Sequence, residues 1–424
     1  MARFRPFRGI RYNPEKVGSL DAVVAPPYDV ISAAERDALY DAGEYNATRL
    51  ILNRDGHGEA AKLFRAWQTD GALEPDAGPC FYLYSQDFDV DGPRQRTGVI
   101  GALHLEPFST GVVRPHERTF SHHKTDRLAL TSETKANLSP IFGLYSNADF
   151  HPEPDDGWDS PADLDVTFSG VRSRLWVVRN PARIAEISAA VEGRTIFIAD
   201  GHHRYETALN YFGVARPDGE LLPEGGPTDE EEPAAHVMAF LGAFEDPGML
   251  ILPTHRQVER SRGADWKAYT KLVEEQFKVT RLPFDAEGRK QLEDALERST
   301  PETNAFGLAI KGSDELLLIE KPAAVRINGD SPLASLDVTV LHSTLIDKLL
   351  ANAGAPEPEI TYSADTDEVL DRVAAGKLEA VFVMRATLSD QLADACMAGD
   401  LMPQKSTYFF PKLLTGLVFH TLER

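Results

Sequence analysis

The feature that most constrains this chain is the segment I-A-D-G-H-H-R-Y-E-T-A-L at residues 198–209. Residues 195–199 are β-branched or apolar, as is typical of a buried strand. The apolar residues that follow recur at the spacing of one helix face: Tyr205, Ala208, Leu209 and Phe212. The sequence therefore predicts a strand, a sharp turn and a helix.

The charge at the start of that helix indicates its ligand. A helix N-terminus has unpaired N–H groups and the positive end of the helix dipole, so acidic residues are favoured in the first turn. Here the first turn carries His202, His203 and Arg204 instead. Basic residues at a positive helix end are favourable when an anion binds there, and phosphate is the usual one. We therefore predict a phosphate-binding strand–turn–helix.

The junction between strand and helix allows a second interpretation. Asp200 is a natural N-cap, and Gly201 lets the backbone turn sharply or lets a ligand approach closely. Asp200 could cap the helix and do nothing else, with Arg204 paired to Glu206 or to another surface carboxylate. The sequence leaves both interpretations open.

Composition excludes several classes of function. The 424 residues suffice for two or three cores, and an apolar share of 42% is ordinary for a globular protein. The net charge of −22 argues against non-specific binding to nucleic acid or anionic lipid, but it is compatible with a small basic pocket. Cys80 and Cys396 form no C-x-x-C pattern. Because residues 1–12 lack the apolar region of a signal peptide and no apolar stretch reaches about 18 residues, we expect a cytoplasmic protein.

Strands and helices are predicted along the whole chain. A β-hairpin is predicted around Asp91-Gly92-Pro93, and helices and strands alternate after Pro253. The acidic segment 213–233 is predicted to be a solvated insertion, with a mobile lid as the alternative. We predict an α/β (α+β) fold with three regions: a mixed region at 1–78, a nucleotide- or phosphate-binding core at 79–255, and an α/β region at 256–424 that contributes to the site.

A second polar constellation lies in the middle of the chain, at residues 115–127. Glu117 could act as a general base there, and Lys124 or Arg127 could neutralise phosphate oxygens. The alternative is a solvated polar loop. The histidines of this segment do not have the H-E-x-x-H spacing of a zinc site, so we predict no metal ligands there.

The segment M-P-Q-K-S-T-Y-F-F-P-K at residues 402–412 is a third candidate. It is not a P-loop, because Gln404 replaces the required glycine and Pro403 stiffens the turn. Its polar cluster can still bind phosphate through charge and hydroxyl groups: Lys405, Ser406 and Thr407. The alternative is a partly exposed loop whose aromatic residues belong to the core.

Polar residues at two further places are candidates for binding the substrate. His255 and Arg256 follow the apolar residues 249–252, at a predicted strand end where sheet ligands gather. Tyr28 and Asp29 follow two prolines in an extended segment. We predict that these four residues and His116 contact the substrate, and that the distant motifs converge in space.

Seven motifs, taken in order, resemble those of the domain-of-unknown-function 1015 family, and the resemblance covers nearly the whole chain. They are P-F-R-G-I-R-Y (6–12), A-P-P-Y-D-V-I (25–31), R-P-H-E (114–117), K-T-D-R-L (124–128), A-D-G-H-H-R-Y-E-T-A-L (199–209), L-P-T-H-R (252–256) and M-P-Q-K-S-T-Y-F-F-P-K (402–412). The family is poorly characterised, and its genomic context implies a link to serine biosynthesis.

The D-G-H-H-R segment also resembles, locally, the nucleotide-binding motif of the ParB/sulfiredoxin-like fold. That fold includes ParB-type CTPases, sulfiredoxin and a free serine kinase. The resemblance implies a ParB/sulfiredoxin-like mixed core with additional α/β regions at both ends, and a helix N-terminus that holds nucleotide phosphates. It implies catalytic roles for Glu117, Asp200 and His202, and phosphate contacts for the remaining residues of the motif: Gly201, His203 and Arg204.

Together these observations predict nucleotide-dependent phosphoryl transfer on a small hydroxylated metabolite. Serine and phosphoserine are the first candidates, so the chain would be a serine kinase or a phosphoserine phosphatase. The expected cofactors are ADP or ATP and Mg²⁺. No nucleic-acid or membrane partner is expected. The protein could form a homodimer. The alternatives are a nucleotide-sensing, ParB-like switch without turnover and a metal-dependent hydrolase with histidine ligands.

Overall fold

The computed structural model describes residues 1–117, 121–147, 149–215, 232–261, 263–323, 331–355 and 357–423. The chain forms two compact units. Unit 1 comprises Met1–Pro115, Thr119–Leu250 and Pro411–Arg424, and unit 2 comprises His116–Arg118 and Ile251–Phe410. The boundaries predicted near residues 78 and 255 stay a prediction, and most of the predicted insertion at 213–233 lies outside the described residues.

Unit 1 is built on a nine-stranded mixed sheet. Along the sheet the strands are Val113–Pro115, Ile196–Asp200, Ile141–Tyr145, His236–Ala243, Pro93–His104, Phe81–Asp89, Val171–Val178 and Leu164–Phe168, with Phe4–Arg5 added beside Pro93–His104. A smaller sheet contains Leu73–Pro75, Gly9–Tyr12, Phe419–Thr421 and Ala136–Asn137. The hairpin predicted around Asp91 is confirmed by the pairing of Phe81–Asp89 with Pro93–His104.

Two helices of unit 1, Pro181–Val191 and His202–Ala215, contribute to the core of the large sheet. The other helices of this unit are Pro14–Val17, Ala33–Ala42, Thr48–Ile51, His57–Thr69 and Ser121–Thr134. The helix Ala33–Ala42 begins at a capping box formed by Ser32 and Glu35. The core is made of alternating strand residues and of one face of the helix His202–Ala215, among them Phe81, Leu83, Ile141, Ile196, Ile198, Tyr205 and Phe212.

Unit 2 contains a six-stranded sheet in which every described pairing is antiparallel. The strands, in order along the sheet, are Lys278–Pro283, Glu315–Pro322, Thr303–Ile310, Ala380–Val383, His255–Arg260 and Glu359–Ser363. Its helices are Trp266–Glu274, Ala286–Arg298, Asp337–Val340, Thr366–Ala374 and Ser389–Ala398. The short strands Leu250–Leu252 and Tyr408–Phe410 lie at the two ends of the segment 251–410. The mixed α/β class predicted from the sequence is confirmed in both units.

One element of unit 2 differs from its prediction. The sequence predicts a single α-helix over residues 338–350, but the structure has a short α-helix, Asp337–Val340, that continues as a π-helix over Leu341–Leu350. Apolar residues at three- and four-residue spacing are compatible with either winding, so the sequence pattern does not distinguish them. No helix in the described ranges is both long enough and apolar enough to cross a membrane.

Candidate functional site

The strand, turn and helix predicted around D-G-H-H-R are present in unit 1. The strand Ile196–Asp200 lies between the parallel strand Val113–Pro115 and the antiparallel strand Ile141–Tyr145. Gly201 follows with a φ of 87°, a left-handed conformation that glycine adopts without strain. The helix His202–Ala215 begins at the next residue, so its unpaired N–H groups lie at the end of a buried strand.

Asp200 does not occupy the N-cap position that the sequence suggests. It is the last residue of the strand, and the Gly201 carbonyl accepts the first helical hydrogen bond, from the Tyr205 N–H, at 3.0 Å. Because Gly201 has a positive φ, the chain turns at that single residue, and Asp200 remains part of the strand. The Asp200 carboxylate is therefore positioned beside the helix start by the strand.

The Asp200 carboxylate lies between two cations. Arg204 Nη2 donates to Oδ2 at 2.6 Å, and Lys412 Nζ donates to Oδ1 at 2.7 Å. Arg204 Nη1 also donates to the Pro140 carbonyl. Of the two pairings considered for Arg204, the structure has Asp200 rather than Glu206 as its carboxylate partner. One carboxylate and two cations leave this group with a net positive charge at the positive end of a helix, which is an environment for an anion.

Gly201 also makes room for the guanidinium of Arg204. A Cβ atom built on Gly201 would lie 3.0 Å from the Cζ, Nε and Nη2 atoms of Arg204. Any side chain at this position would therefore push against the guanidinium that binds Asp200. The glycine serves both the turn and the close packing of the cation.

Lys412 is held in place through its backbone by two buried side chains. Gln86 Nε2 donates to the Lys412 carbonyl at 3.1 Å, and Arg96 Nη2 donates to the Pro411 carbonyl and to Gln86 Oε1. Arg96 is fully buried, its guanidinium lies 4.9 Å from the centre of the Phe142 ring, and burial lowers its pKa to about 10. It remains a cation at neutral pH, so a buried positive charge supports the segment that carries Lys412.

Sequence reasoning did not single out Lys412, Gln86 or Arg96 as site residues. The available signal for Lys412 is its place at the end of the motif at residues 402–412. Gln86 and Arg96 carry no local signal, because their role depends on a backbone segment more than 300 residues away in the sequence.

A cavity of about 50 Å³ in unit 1 shares Arg204 with the Asp200 cluster. Tyr28 and Arg127 also line it, and the Arg127 guanidinium lies over the Tyr28 ring at 4.3 Å. Arg127 donates from Nε to Asp126 Oδ2 and from Nη1 to the Ile51 carbonyl, each at 2.8 Å. Burial, and then the charge of Asp29, raises the pKa of Tyr28, so its hydroxyl stays protonated at neutral pH. Three predicted site residues from distant motifs thus meet around one cavity.

The other predicted residues of unit 1 are placed as follows. His202 is buried and His203 is half-buried, at the first two positions of the helix. Asp29 is exposed in the turn Tyr28–Val30. Lys124 belongs to the helix Ser121–Thr134, but its side chain lies outside the described part of the chain. Their predicted contacts with nucleotide or substrate stay predictions.

Unit 2 brings together the P-H-E and K-S-T motifs. The Lys405 backbone N–H donates to Glu117 Oε2 at 2.9 Å, and the His116 ring Nε2 lies 2.8 Å from the Thr407 hydroxyl. Lys405 has a φ of 55°, which is uncommon for a residue with a side chain. Ser406 closes the loop further, because its hydroxyl donates to the Pro403 carbonyl. The two motifs therefore bind each other.

Arg256 lies beneath the same loop and is almost fully buried. Its Nη2 donates to the Lys405 carbonyl at 3.1 Å, its Nε donates to His342 Nε2 at 3.3 Å, and its guanidinium lies 5.5 Å from the centre of the Tyr362 ring. Burial lowers the pKa of Arg256 to about 10. Arg256 thus ties the loop to the rest of unit 2, and its predicted contact with substrate stays a prediction.

His255 is also fully buried in unit 2. Its Nδ1 accepts the Met384 backbone N–H at 3.1 Å, so Nε2 carries the proton and points to the Thr366 hydroxyl at 3.1 Å. Burial, and then the charge of Arg256, lowers its pKa to about 4. His255 is therefore a neutral, hydrogen-bonded residue at neutral pH.

The described residues contain no group of three histidine, cysteine, aspartate or glutamate side chains that could hold a metal ion. A Mg²⁺ ion needs fewer protein ligands than zinc when nucleotide phosphates supply the others.

The comparisons with known proteins give a family and a distant likeness in fold. The model of the family described as "Protein of unknown function (DUF1015)" matches residues 4–339. No curated protein matches the chain.

Solved structures with a similar arrangement include a conserved hypothetical protein from Pyrococcus furiosus, which is 13% identical, with a TM-score of 0.36, over 71% of this chain and 89% of that one. A free serine kinase in complex with AMP is 12% identical, with a TM-score of 0.36, over 70% and 83%. A truncated SbnI from Staphylococcus aureus is 8% identical, with a TM-score of 0.33, over 74% and 85%. Likeness at this level supports no argument about function.

Proposed function

The chain belongs to the DUF1015 family, whose description specifies no reaction, and we propose its function from the site itself: nucleotide-dependent phosphoryl transfer on a small hydroxylated metabolite. The observation that carries the proposal is the Asp200 carboxylate, held between Arg204 and Lys412 at the start of the helix His202–Ala215. A phosphate group at this helix end would meet backbone N–H groups, the helix dipole and a net positive charge.

The chemistry required is mainly positioning and neutralisation of charge. In the direction of synthesis, the acceptor hydroxyl oxygen forms a bond to the terminal phosphorus of the nucleotide, and the bond from that phosphorus to the bridging oxygen breaks. The shortened nucleotide leaves with the electron pair, and the hydroxyl proton passes to a carboxylate. The transition state of phosphoryl transfer is loose, so cations and donors around the phosphate contribute more than a strong base.

We assign the proton transfer to Asp200 and the neutralisation of phosphate charge to Arg204 and Lys412. Glu117, predicted from the sequence as an alternative base, binds the Lys405 N–H in unit 2. Asp200 is the better supported of the two, because cations that can bind phosphate surround it. His202, His203 and Gly201 would contribute helix N–H groups to the phosphates.

Serine or phosphoserine is the first substrate to test, because the D-G-H-H-R segment resembles the motif of a free serine kinase. The same site could run in either direction: ATP with serine gives phosphoserine, and phosphoserine with ADP gives serine. A phosphatase would pass the same phosphoryl group to water. A Mg²⁺ ion would arrive with the nucleotide and would supply charge neutralisation.

The test is phosphate exchange by the purified full chain with Mg²⁺ and adenine nucleotides, with serine and phosphoserine offered separately. We expect serine and ATP to form from phosphoserine and ADP, or the reverse. Asp200→Asn should lower turnover by about a hundredfold. Asp165→Asn is the matched control, since Asp165 is an exposed aspartate of unit 1 that binds Arg172 at 2.6 Å.

Two results would change the proposal. Nucleotide binding without turnover of any hydroxylated acceptor would indicate a nucleotide-sensing switch instead of an enzyme. Turnover that Asp200→Asn leaves unchanged would remove Asp200 from the mechanism.

A further inference from the structure

Two guanidinium groups line the cavity beside Asp200, from Arg127 and Arg204, and none of the lining residues that the structure describes is acidic. Each guanidinium also binds a carboxylate that does not line the cavity: Arg127 binds Asp126, and Arg204 binds Asp200. Four hydroxyl-bearing residues line it as well: Tyr28, Thr131, Ser139 and Thr207. The rest of the lining is largely apolar. Such a wall favours a small molecule that has an anionic group and a short apolar body.

The hydroxyl of Thr207 indicates where that molecule would bind. Thr207 lies on the helix His202–Ala215, is 3% exposed, and its Oγ1 has no hydrogen-bond partner in the structure. By contrast, the Ser139 hydroxyl, on the same wall, is 2.6 Å from that of Thr415. A buried hydroxyl without a partner is unfavourable, so a ligand that accepts from Thr207 Oγ1 in this cavity would gain a hydrogen bond on binding.

The size of the cavity limits the ligand further. A single water molecule needs about 10–15 Å³ of such volume, so 50 Å³ corresponds to roughly four water molecules. That space suits a compact molecule better than a whole nucleotide.

We propose that this cavity binds the acceptor of phosphoryl transfer, and that the acceptor is a compact hydroxy acid. Its carboxylate would accept from Thr207 Oγ1 and lie against the guanidinium groups of Arg127 and Arg204. Because Arg204 contacts both the cavity and Asp200, the acceptor hydroxyl would be directed to the phosphate site. This assignment rests on the proposed function and adds the substrate class and the residues that select it.

The experiment is calorimetric titration of the full chain with L-serine, D-glycerate and ethanolamine, and separately with ADP. Ethanolamine is serine without its carboxylate. Thr207→Val keeps the side-chain shape and removes the hydroxyl, while Thr207→Ser keeps the hydroxyl. Thr48→Val is the matched control, because Thr48 is a buried helical threonine of unit 1 whose hydroxyl also has no partner and which does not line the cavity.

We expect L-serine or D-glycerate to bind at least tenfold more tightly than ethanolamine. Thr207→Val should weaken that binding about tenfold, and Thr207→Ser and Thr48→Val should change it less than twofold. ADP affinity should be unchanged in all three variants.

The contrary outcomes separate the two proposals. If ADP binds but neither hydroxy acid does, or if Thr207→Val binds the hydroxy acid as wild type does, the cavity is not the acceptor site and the phosphate site stands. If the hydroxy acid binds through Thr207 but ADP does not bind, the cavity is a binding site and the proposed phosphoryl transfer is wrong.

Discussion

Asp200 is bound by two cations that come from very different places in the sequence. Arg204 lies four residues further along, and Lys412 lies 212 residues away. Asp200 balances the charge of one of these two cations, so the cluster keeps one excess positive charge, which makes it an anion site. At the scale of single residues, Lys412 is therefore the side chain whose loss should affect phosphate binding most selectively.

Lys412→Met removes the ammonium group and keeps most of the aliphatic stem. We expect ADP to bind about tenfold more weakly, a loss of about 1.4 kcal/mol, because one charge-assisted contact with phosphate is removed. Calorimetric titration of ADP measures the effect, and denaturant unfolding checks that the variant is folded. Lys278→Met is the control, since Lys278 is an exposed lysine paired with Glu320 at 2.7 Å. Equal ADP affinity in wild type and Lys412→Met would remove Lys412 from the site.

The residues of this site differ in how well the sequence reveals them. Asp200, Gly201 and Arg204 are predictable because the strand before them and the helix face after them are local patterns. The role of Asp200 cannot be predicted from the sequence, because the chain turns at Gly201 alone and the Asp200 carboxylate lies outside the cap position. Lys412 depends on the backbone contacts of Gln86 and Arg96, and no local pattern encodes contacts of that range.

At the scale of elements, the loop at residues 402–407 of unit 2 depends on hydrogen bonds from outside it. The Glu117 carboxylate accepts the Lys405 N–H, His116 lies against Thr407, and Arg256 donates to the Lys405 carbonyl. The loop also contains a left-handed residue, Lys405, which is unfavourable in isolation. These contacts therefore hold the loop in one conformation.

Glu117→Gln tests whether the carboxylate stabilises this loop. The charge-assisted hydrogen bond becomes a neutral one, so we expect the loop to open more often. Hydrogen exchange at the Lys405 amide should become about fivefold faster, with slowly exchanging amides of the sheet unchanged. Glu259→Gln is the matched control, because Glu259 also belongs to unit 2 and binds Arg372 at 3.0 Å. Unchanged exchange at Lys405 would mean that Glu117 has no structural role in the loop.

The sequence predicts regular strands and helices well, but it does not predict where a helix departs from α-helical winding. The strand Ile196–Asp200 and the helices Trp266–Glu274 and Ala286–Arg298 follow from periodicity and from clear caps at Asp265 and Asp285. The π-helix Leu341–Leu350 could not be predicted, because its apolar spacing is compatible with an α-helix as well as a π-helix.

At the scale of the whole molecule, buried neutral histidines should make the chain sensitive to acid. His255 and His342 each have a pKa lowered to about 4, first by burial and then by the charge of Arg256, from an ordinary value of 6.5. Between about pH 4 and pH 6.5 the unfolded chain therefore binds more protons than the folded chain. Stability is fully present above about pH 6.5 and is lost as the pH falls towards 4.

We expect the free energy of unfolding to fall by about 1 kcal/mol for each of these histidines between pH 6 and pH 5. Urea unfolding at the two pH values measures the change. His255→Asn keeps an acceptor for the Met384 N–H and should reduce the difference by about 1 kcal/mol. A variant with the same pH dependence as wild type would show that His255 is not a neutral residue in the folded state.

The fold class and the family could be predicted from the sequence, because alternating elements and ordered motifs extend along most of the chain. Which motifs lie in the same unit could not be predicted from the sequence. Tyr28, Arg127 and Arg204 meet around one cavity in unit 1, whereas Glu117, Lys405 and Arg256 are bound together in unit 2. Motif spacing carries no information about which of them share a unit.

The measurement that tests the central claim most directly is titration of the full chain with ADP and, in parallel, with adenosine. If the start of the helix His202–Ala215 is a phosphate site, ADP should bind at least tenfold more tightly than adenosine, and the difference should shrink as salt is added. Equal affinity for the two molecules, or binding of neither, would contradict the claim that this helix end binds phosphate.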